Sequence, residues 1–175
     1  MEPVSVSICI YCKSTESSRR YATRDLFGDD WMIHRCHTCS ARFLCPTPTS
    51  KQITNAYSRE YYGEGQEKFN GGVERILDHF RKQRAVRLNH YMKKPGKVLD
   101  LGCGNGRFLS FMGQLGHKIY GVEMAGGSAE RAQRVSGLNL KVGSLELEDF
   151  APGMFDAITL YHVFEHLVEP AKYLE

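Results

Sequence analysis

Four of the six cysteines fall in two doublets, Cys9-x2-Cys12 and Cys36-x2-Cys39, with 23 residues between them. Two residues between thiols let one tight turn aim both sulfurs at one ion. Two such turns complete a closed tetrahedron with no open position, so zinc held there is structural. Redox-active or merely buried thiols are the competing readings. Paired doublets in a chain with no mark for export favour zinc over either. Zinc knuckles favour glycine directly after a doublet because the turn wants its freedom, and here Lys13 and Ser40 occupy those places. His34 and His37 flank the second doublet and read as solvated rather than as substitute ligands. Cys45 and Cys103 stand apart.

A second chemical signature begins at Lys97-Val98-Leu99-Asp100-Leu101, a short apolar strand running straight into Gly102-Cys103-Gly104-Asn105-Gly106 and then Arg107-Phe108-Leu109-Ser110-Phe111-Met112, a helix stopped by Gly116. Strand, glycine loop and helix make a nucleotide-site pattern: glycines let a ligand reach the main chain, and the helix start offers amide donors. The spacing is GxGxG, unlike the GxGxxG of dinucleotide enzymes or the lysine-bearing phosphate loop. Asp100, two residues before the first glycine, is a poor neighbour for a pyrophosphate and a good one for positive charge. The expected ligand is cationic. The next strand, Lys118 to Glu123, ends in a carboxylate 17 residues after Gly106, a reach suited to holding both hydroxyls of a ribose. The bland alternatives are Asp100 as a loop brace and Glu123 as a solvated strand end.

These residues need elements to position them. Between the cysteine doublets, apolar and polar residues alternate around Gly28-Asp29-Asp30, as in a short hairpin. A segment this small, about 45 residues, buries too little apolar surface to fold alone, so metal would supply the missing free energy. Pro46-Thr47-Pro48-Thr49 reads as an extended linker, followed by a short helix carrying Ile53, Ala56 and Tyr57 and an aromatic stretch, Tyr61-Tyr62-Gly63-Glu64-Gly65. Val73, Ile76, Leu77, Phe80, Leu88, Tyr91 and Met92 recur at helical spacing, predicting a long amphipathic helix that ends at Pro95-Gly96. Ser128 to Val135 reads as a further helix, Leu138 to Val142 as the third strand, and Phe155 to Tyr161 as the fourth. Strands alternating with helices imply a parallel sheet. The expected domains are 1–46, a zinc ribbon; 47–96, linker and amphipathic helix; and 97–175, an α/β domain.

Composition agrees with a globular chain: 42% of the 175 residues are hydrophobic and 25% charged, which excludes disorder and a collagen-like fibre. The longest apolar runs fall far short of the roughly 20 residues that span a bilayer, and the first residues lack a signal-peptide pattern, so the expected location is the cytoplasm. The net charge of +3 hides a gradient. Residues 61–97 hold nine basic and four acidic side chains, while 98–175 hold six and ten. The basic stripe Arg81, Lys82, Arg84, Arg87, Lys93 and Lys94 could meet phosphates, although such runs usually form a solvated helix face.

VLDLGCGNGRF, the acid Glu123 at the next strand end and FDAITLYHVFEHLVEP together resemble the class I S-adenosylmethionine-dependent methyltransferases of the type 11/type 23 superfamily, over residues 97 to 175. The cysteine doublets followed by AYSREYYGEG resemble the amino-terminal extension found on many bacterial members. The resemblance implies a Rossmann-like, doubly wound parallel sheet preceded by a small zinc ribbon, with S-adenosylmethionine as cofactor. It implies that Asp100, Gly102, Gly104 and Gly106 line the methionine end of that cofactor. Glu123 would hold the ribose hydroxyls with Met124 beside the adenine, Ser144 and Leu145 would lie at the adenine edge, and Tyr161 and His162 would close the floor near the sulfonium. The family sheet has seven strands and this sequence reaches the fourth, so a fragment holding the cofactor half is expected, with an apolar strand edge open to self-association.

A sulfonium methyl needs only in-line alignment and, for an oxygen or carbon nucleophile, a base. His162 and His166 are the candidates, with Glu165 and His166 read as hydrogen-bonded within their loop rather than as metal ligands. Three functions follow: a methyltransferase acting on a small molecule or glycan precursor, an RNA methyltransferase gripping RNA with ribbon and basic helix, and a non-catalytic module keeping the cofactor fold. The charge of residues 1–60, eight basic against six acidic, argues mildly against RNA.

Overall fold

A computed structural model describes residues 7–49, 51–52, 71–143, 150–167 and 170–173. The short helix expected around Ile53, Ala56 and Tyr57 and the stretch Tyr61 to Gly65 lie outside these residues. The chain divides into two compact units, residues 1–64 with 166–175, and residues 65–165.

The first unit holds a three-stranded antiparallel sheet in the order β1 (Ser17–Arg24), β2 (Asp30–Cys36), β3 (Arg42–Cys45). Asp25 builds the expected hairpin turn. Its Oδ1 accepts the amides of Phe27 and Asp29 at 2.9 and 3.0 Å, and its Oδ2 accepts the indole N–H of the buried Trp31 at 2.9 Å. Residues 42–45 are too few to show alternation, which is why β3 is invisible in the sequence pattern. Among the described residues, the packed cluster here is Cys9, Cys36 and Phe43, with Ile10 and Tyr11 against it. His34 corrects an expectation: it is not solvated but buried, its Nδ1 bonded to the hydroxyls of Ser7 and Ser17 at 3.0 and 3.1 Å and its ring tilted against Phe43. His37 is exposed.

Lys13 and Ser40, each directly after a cysteine doublet, adopt left-handed φ values of 60° and 62°. The turn therefore keeps the backbone shape that glycine would take without strain, and the first turn is closed by the Lys13 amide on the Cys9 carbonyl at 2.9 Å.

In the second unit α1 (Gly71–Met92) precedes four parallel strands, β4 (Lys97–Leu101), β5 (Lys118–Glu123), β6 (Leu138–Val142) and β7 (Ala157–Thr159), in the order β6-β5-β4-β7. Helices α2 (Arg107–Gln114) and α3 (Gly127–Ala132) follow β4 and β5. This is the Rossmann-like α/β sheet. Val98, Ile119, Phe108, Leu109, Met112, Ala132 and Ala85 form one core between sheet and helices. β7 is shorter than the expected Phe155 to Tyr161. The Asp156 carboxylate takes the Lys97 amide at 2.8 Å, and the Phe155 ring turns to Tyr120 and Phe150.

The face that α1 turns inward is half charged. Leu77, Ala85, Leu88 and Met92 lie on it, but so do Glu74, Asp78, Arg81 and Arg84, while Val73, Ile76, Phe80 and Tyr91 are exposed. Asp78 binds Arg81 at 2.9 Å and also binds Arg107 of α2, so ion pairs rather than apolar contact join the first half of α1 to the sheet unit. Buried His117 ties the second half. Its Nδ1 must accept the Gly96 amide at 3.1 Å, leaving Nε2–H to donate to Asn89 Oδ1 at 2.9 Å.

Lys13→Gly and Ser40→Gly should each raise the unfolding free energy by about 1 kcal/mol, the order of a relieved left-handed residue less glycine's added chain entropy. Denaturant melts of the single variants test this; a loss of stability would mean that the side chains matter more than the backbone strain.

Candidate functional site

The order of the sheet reverses between β4 and β7, and in open α/β sheets the crevice beyond the carboxyl ends at such a reversal is where ligands bind. The glycine loop occupies that place. Both the Gly102 and Cys103 amides donate to the Val122 carbonyl, at 2.8 and 3.1 Å, clamping the end of β4 to β5. Gly102, at φ 66°, lies so close to Val163 that an added Cβ would stand 2.4 Å from its Cγ2. Gly104, at φ 57°, is different: an added Cβ would meet nothing within 4 Å, so its main chain borders open space. Gly106, also left-handed at 72°, packs toward Val135 and Leu138 and starts α2. Cys103 points inward, into the space that Gly121 leaves by having no side chain. Burial, reinforced by Asp100 and Glu123, pushes its thiol up to about 12, so it is an inert packing group.

Two carboxylates stand at adjacent strand ends. Asp100 is 4% exposed, and its Oδ1 accepts the Thr159 hydroxyl at 2.6 Å across the β4–β7 ladder, where the two residues are register partners. Burial raises the Asp100 carboxyl to about 7; Thr159 and Arg84 pull it down, and Glu123 pushes it up. Glu123, half-buried, is also raised by burial, against the pull of the Gly104 amide, which donates to its Oε2 at 2.6 Å. Two desolvated acids at adjacent strand ends are suited to a cation and unsuited to a polyphosphate.

Around this pair lie aromatic and apolar surfaces. Tyr161 meets Phe108 edge to face at 5.4 Å, and the Arg84 guanidinium sits 4.5 Å over the Tyr161 ring. Met124, just past β5, is 64% exposed. His162 follows at φ 57°, a strained conformation for a residue with a side chain, and its ring is exposed. Asp100, the three glycines, Glu123, Met124, Tyr161 and His162 thus all fall at the carboxyl end of one sheet. His166 ends a 3-10 turn, Phe164–His166, at the first residue of the other unit's return segment. Ser144 and Leu145 lie outside the described residues. Thr159 and Arg84 have no counterpart in the sequence reading. Thr159 looks like an ordinary strand residue, and Arg84 looked like one cation of a solvated stripe; only the β4–β7 pairing and the helix orientation bring them to Asp100.

The four doublet cysteines are free thiols whose sulfurs all lie within 4.8 Å of one another. Cys9–Cys39 and Cys12–Cys36 are 3.7 and 3.5 Å apart, near the edge of about 3.8 Å of a tetrahedron with metal–sulfur bonds of about 2.3 Å. The Cys39 amide reaches the Cys36 sulfur at 3.5 Å and draws that thiol well below the ordinary range, while, against a backbone bond from Ala41, burial and the neighbouring thiols push Cys39 up to about 12, and burial raises Cys9.

A raised Asp100 has a stability consequence of definite sign. The folded chain holds this proton more tightly than the unfolded chain, so the contribution is full below the ordinary carboxylate range and is lost as pH rises through about 7. Asp100→Asn should therefore flatten the fall in melting temperature between pH 5.5 and pH 8 and leave the ligand-free chain more stable than wild type at pH 8. Thermal melts at both pH values decide it; a variant destabilised equally at both would show that Asp100 is a structural brace whose charge does not matter.

No helix among the described residues is long and apolar enough to cross a membrane. Among curated proteins, the chain is 32% identical over 110 residues to a ubiquinone biosynthesis O-methyltransferase of Albidiferax ferrireducens, an alignment covering 58% of this chain and 43% of that protein. It is 36% identical over 80 residues to the protein of the same description from Chromobacterium violaceum, covering 42% and 34% respectively. The chain thus spans less than half the length of these relatives. Among solved structures, the plantazolicin methyltransferase BpumL, in complex with a monoazolic desmethylPZN analog and SAH, aligns at 18% identity and a TM-score of 0.49 over 71% of this chain and 54% of that one. The family described as "Methyltransferase domain" matches residues 73–175, from the first turn of α1 through every strand of the parallel sheet. That match takes in more than half of the sequence, and the chain belongs to this methyltransferase domain family.

Proposed function

We propose that the cleft beyond β4, β5 and β7 binds S-adenosylmethionine and that the whole protein transfers its methyl group to a small-molecule or glycan-precursor acceptor. The observation that carries this reading is the pairing of two half-buried to buried carboxylates, Asp100 and Glu123, around a left-handed glycine whose Cβ position is open. The fit is chemical: a cofactor with a sulfonium, a vicinal diol and an adenine asks for negative charge, a diol acceptor and an apolar flank. Asp100 supplies the first, Glu123 the second and exposed Met124 the third, and the family resemblance assigns Ser144 and Leu145 to the adenine edge. Gly104 leaves its main chain open to the methionine end, Gly102 and Gly106 let the loop pass close to Val163, Val135 and Leu138, and Arg84 puts a positive charge nearby for a carboxylate.

When bound, the cofactor supplies a methyl already activated on a sulfonium sulfur. The chain's own work is to position and to exclude water. Tyr161, held between Phe108 and Arg84, walls the cleft. His162 follows on a left-handed turn, where its imidazole accepts the proton of an oxygen nucleophile. The amino-terminal sheet is a zinc ribbon, with one structural ion on Cys9, Cys12, Cys36 and Cys39, and the protein works in the cytoplasm.

A second reading, an RNA acceptor, has one observation in its favour. The acids of α1, Glu74 and Asp78, turn inward toward arginines, leaving Arg75, Lys82, Arg87 and Lys93 on the exposed side. Salt-dependent RNA binding with a steep slope would move the acceptor to RNA.

Calorimetric titration of the chain with S-adenosylhomocysteine should give saturable binding that Glu123→Ala weakens at least tenfold, the order of losing hydrogen bonds to a charged group. Absence of binding by a folded, zinc-loaded chain would overturn the reading. Metal analysis should find one zinc per chain, and Cys36→Ser or a strong chelator should unfold the amino-terminal sheet while the parallel sheet persists; full zinc loading of Cys36→Ser would remove the four-thiol site.

A further inference from the structure

The described contacts of Asp100 hold a feature that cofactor binding alone does not require. Thr159 has one hydroxyl proton and two acceptors within reach, Asp100 Oδ1 at 2.6 Å and the Leu99 carbonyl at 3.3 Å. With Asp100 ionised, the hydroxyl donates to the carboxylate in a short, charge-assisted bond. With Asp100 protonated, the carboxylic acid becomes the donor, and the hydroxyl can accept it while turning its own proton to Leu99. The Asp100–Thr159 hydrogen bond is kept in both states, so the buried pair can change charge without losing it. Among the described residues, Glu123 from the end of β5, Arg84 from α1, the inert Cys103 from the loop and Tyr161 from beyond β7 act on Asp100 or feel its charge. Arg84 favours the ionised form and Glu123 opposes it, so neither fixes the charge alone.

Resting on the reading of this cleft as an S-adenosylmethionine site, we propose that Thr159 is a positioning residue that sets the charge of Asp100. Through that charge the site prefers the cationic sulfonium ligand to the neutral thioether left after transfer. S-adenosylmethionine carries one more positive charge than S-adenosylhomocysteine, at the sulfur. In a site removed from water a carboxylate distinguishes the two strongly, whereas a carboxylic acid does not. Substrate thus binds with Asp100 ionised, and the product complex is free to take up a proton at Asp100. The hydroxyl relay accommodates both states.

The test is the dissociation constant of each ligand for the zinc-loaded chain at intervals from pH 5.5 to 8, for wild type, Thr159→Val and Thr159→Ser. In wild type, affinity for S-adenosylmethionine should fall toward tenfold per pH unit below neutrality, and affinity for S-adenosylhomocysteine, which keeps the ammonium but lacks the sulfonium charge, should fall several-fold less over the same range. Thr159→Val should move the midpoint of that fall to higher pH and weaken S-adenosylmethionine binding several-fold at pH 7 while sparing S-adenosylhomocysteine. Thr159→Ser, which keeps the hydroxyl, should restore the wild-type profile. Parallel pH profiles for the two ligands in wild type would overturn this inference and leave the site reading standing, and that arm needs no variant to fold. If neither ligand binds at pH 8, the site reading itself fails and takes the inference with it.

Discussion

Strand β4 runs buried through Val98, Leu99, Asp100 and Leu101, so a carboxyl group is carried into a place where apolar side chains surround it. A carboxylate there is unfavourable unless something answers its charge or its hydrogen-bonding capacity. The geometry of the cleft follows from this constraint. Thr159 must stand opposite on β7 to donate, which requires the parallel register that pairs the two residues. The chain must leave β4 at once through a left-handed glycine, because Val163 occupies the space where a side chain would go. Glu123 arrives from β5 close enough to add its own repulsion, and it is moderated by the Gly104 amide. A ligand bearing positive charge would answer both carboxylates at once, which is why this arrangement marks a candidate binding site.

The two units hold together by different means. The parallel sheet has a core of aliphatic and aromatic residues between β4, β5 and the helices, supplemented by the Asp78 ion pairs and the His117 bridge to α1. The amino-terminal sheet has scarcely any core beyond two cysteines and Phe43. Its order comes from polar devices: the Asp25 turn bonded to Trp31, the His34 cluster with Ser7 and Ser17, and four converging thiols. A unit with so few apolar contacts gains most from a metal on its four thiols, should they hold one. Lys13 and Ser40 hold strained backbone turns in place to make those thiols converge.

Much of this arrangement is written in local sequence. β4, β5 and β6 span the residues that apolar runs between glycines mark, and Asp100, Gly104 and Glu123 follow from spacing alone because strand–loop–helix geometry is local. Longer-range features were not legible. The half-charged inner face of α1 defeats a hydrophobic pattern, since Val73, Ile76 and Phe80 keep helical spacing yet lie outside. His34 reads as a surface residue until the strand pairing buries it. Thr159 is indistinguishable from any β-branched strand residue until β7 lies beside β4, since its role depends on a pairing between residues 59 positions apart.

If Glu123 and Asp100 hold a diol-bearing, cationic cofactor at the reversal of the sheet, a crystal structure of the chain grown with zinc and S-adenosylmethionine should show the ligand beyond the carboxyl ends of β4, β5 and β7. The Glu123 carboxylate should then be turned onto both ribose hydroxyls, with the sulfonium on the Asp100 side. A ligand bound away from that crevice, or seated there with its diol and sulfonium turned from both carboxylates, would contradict it.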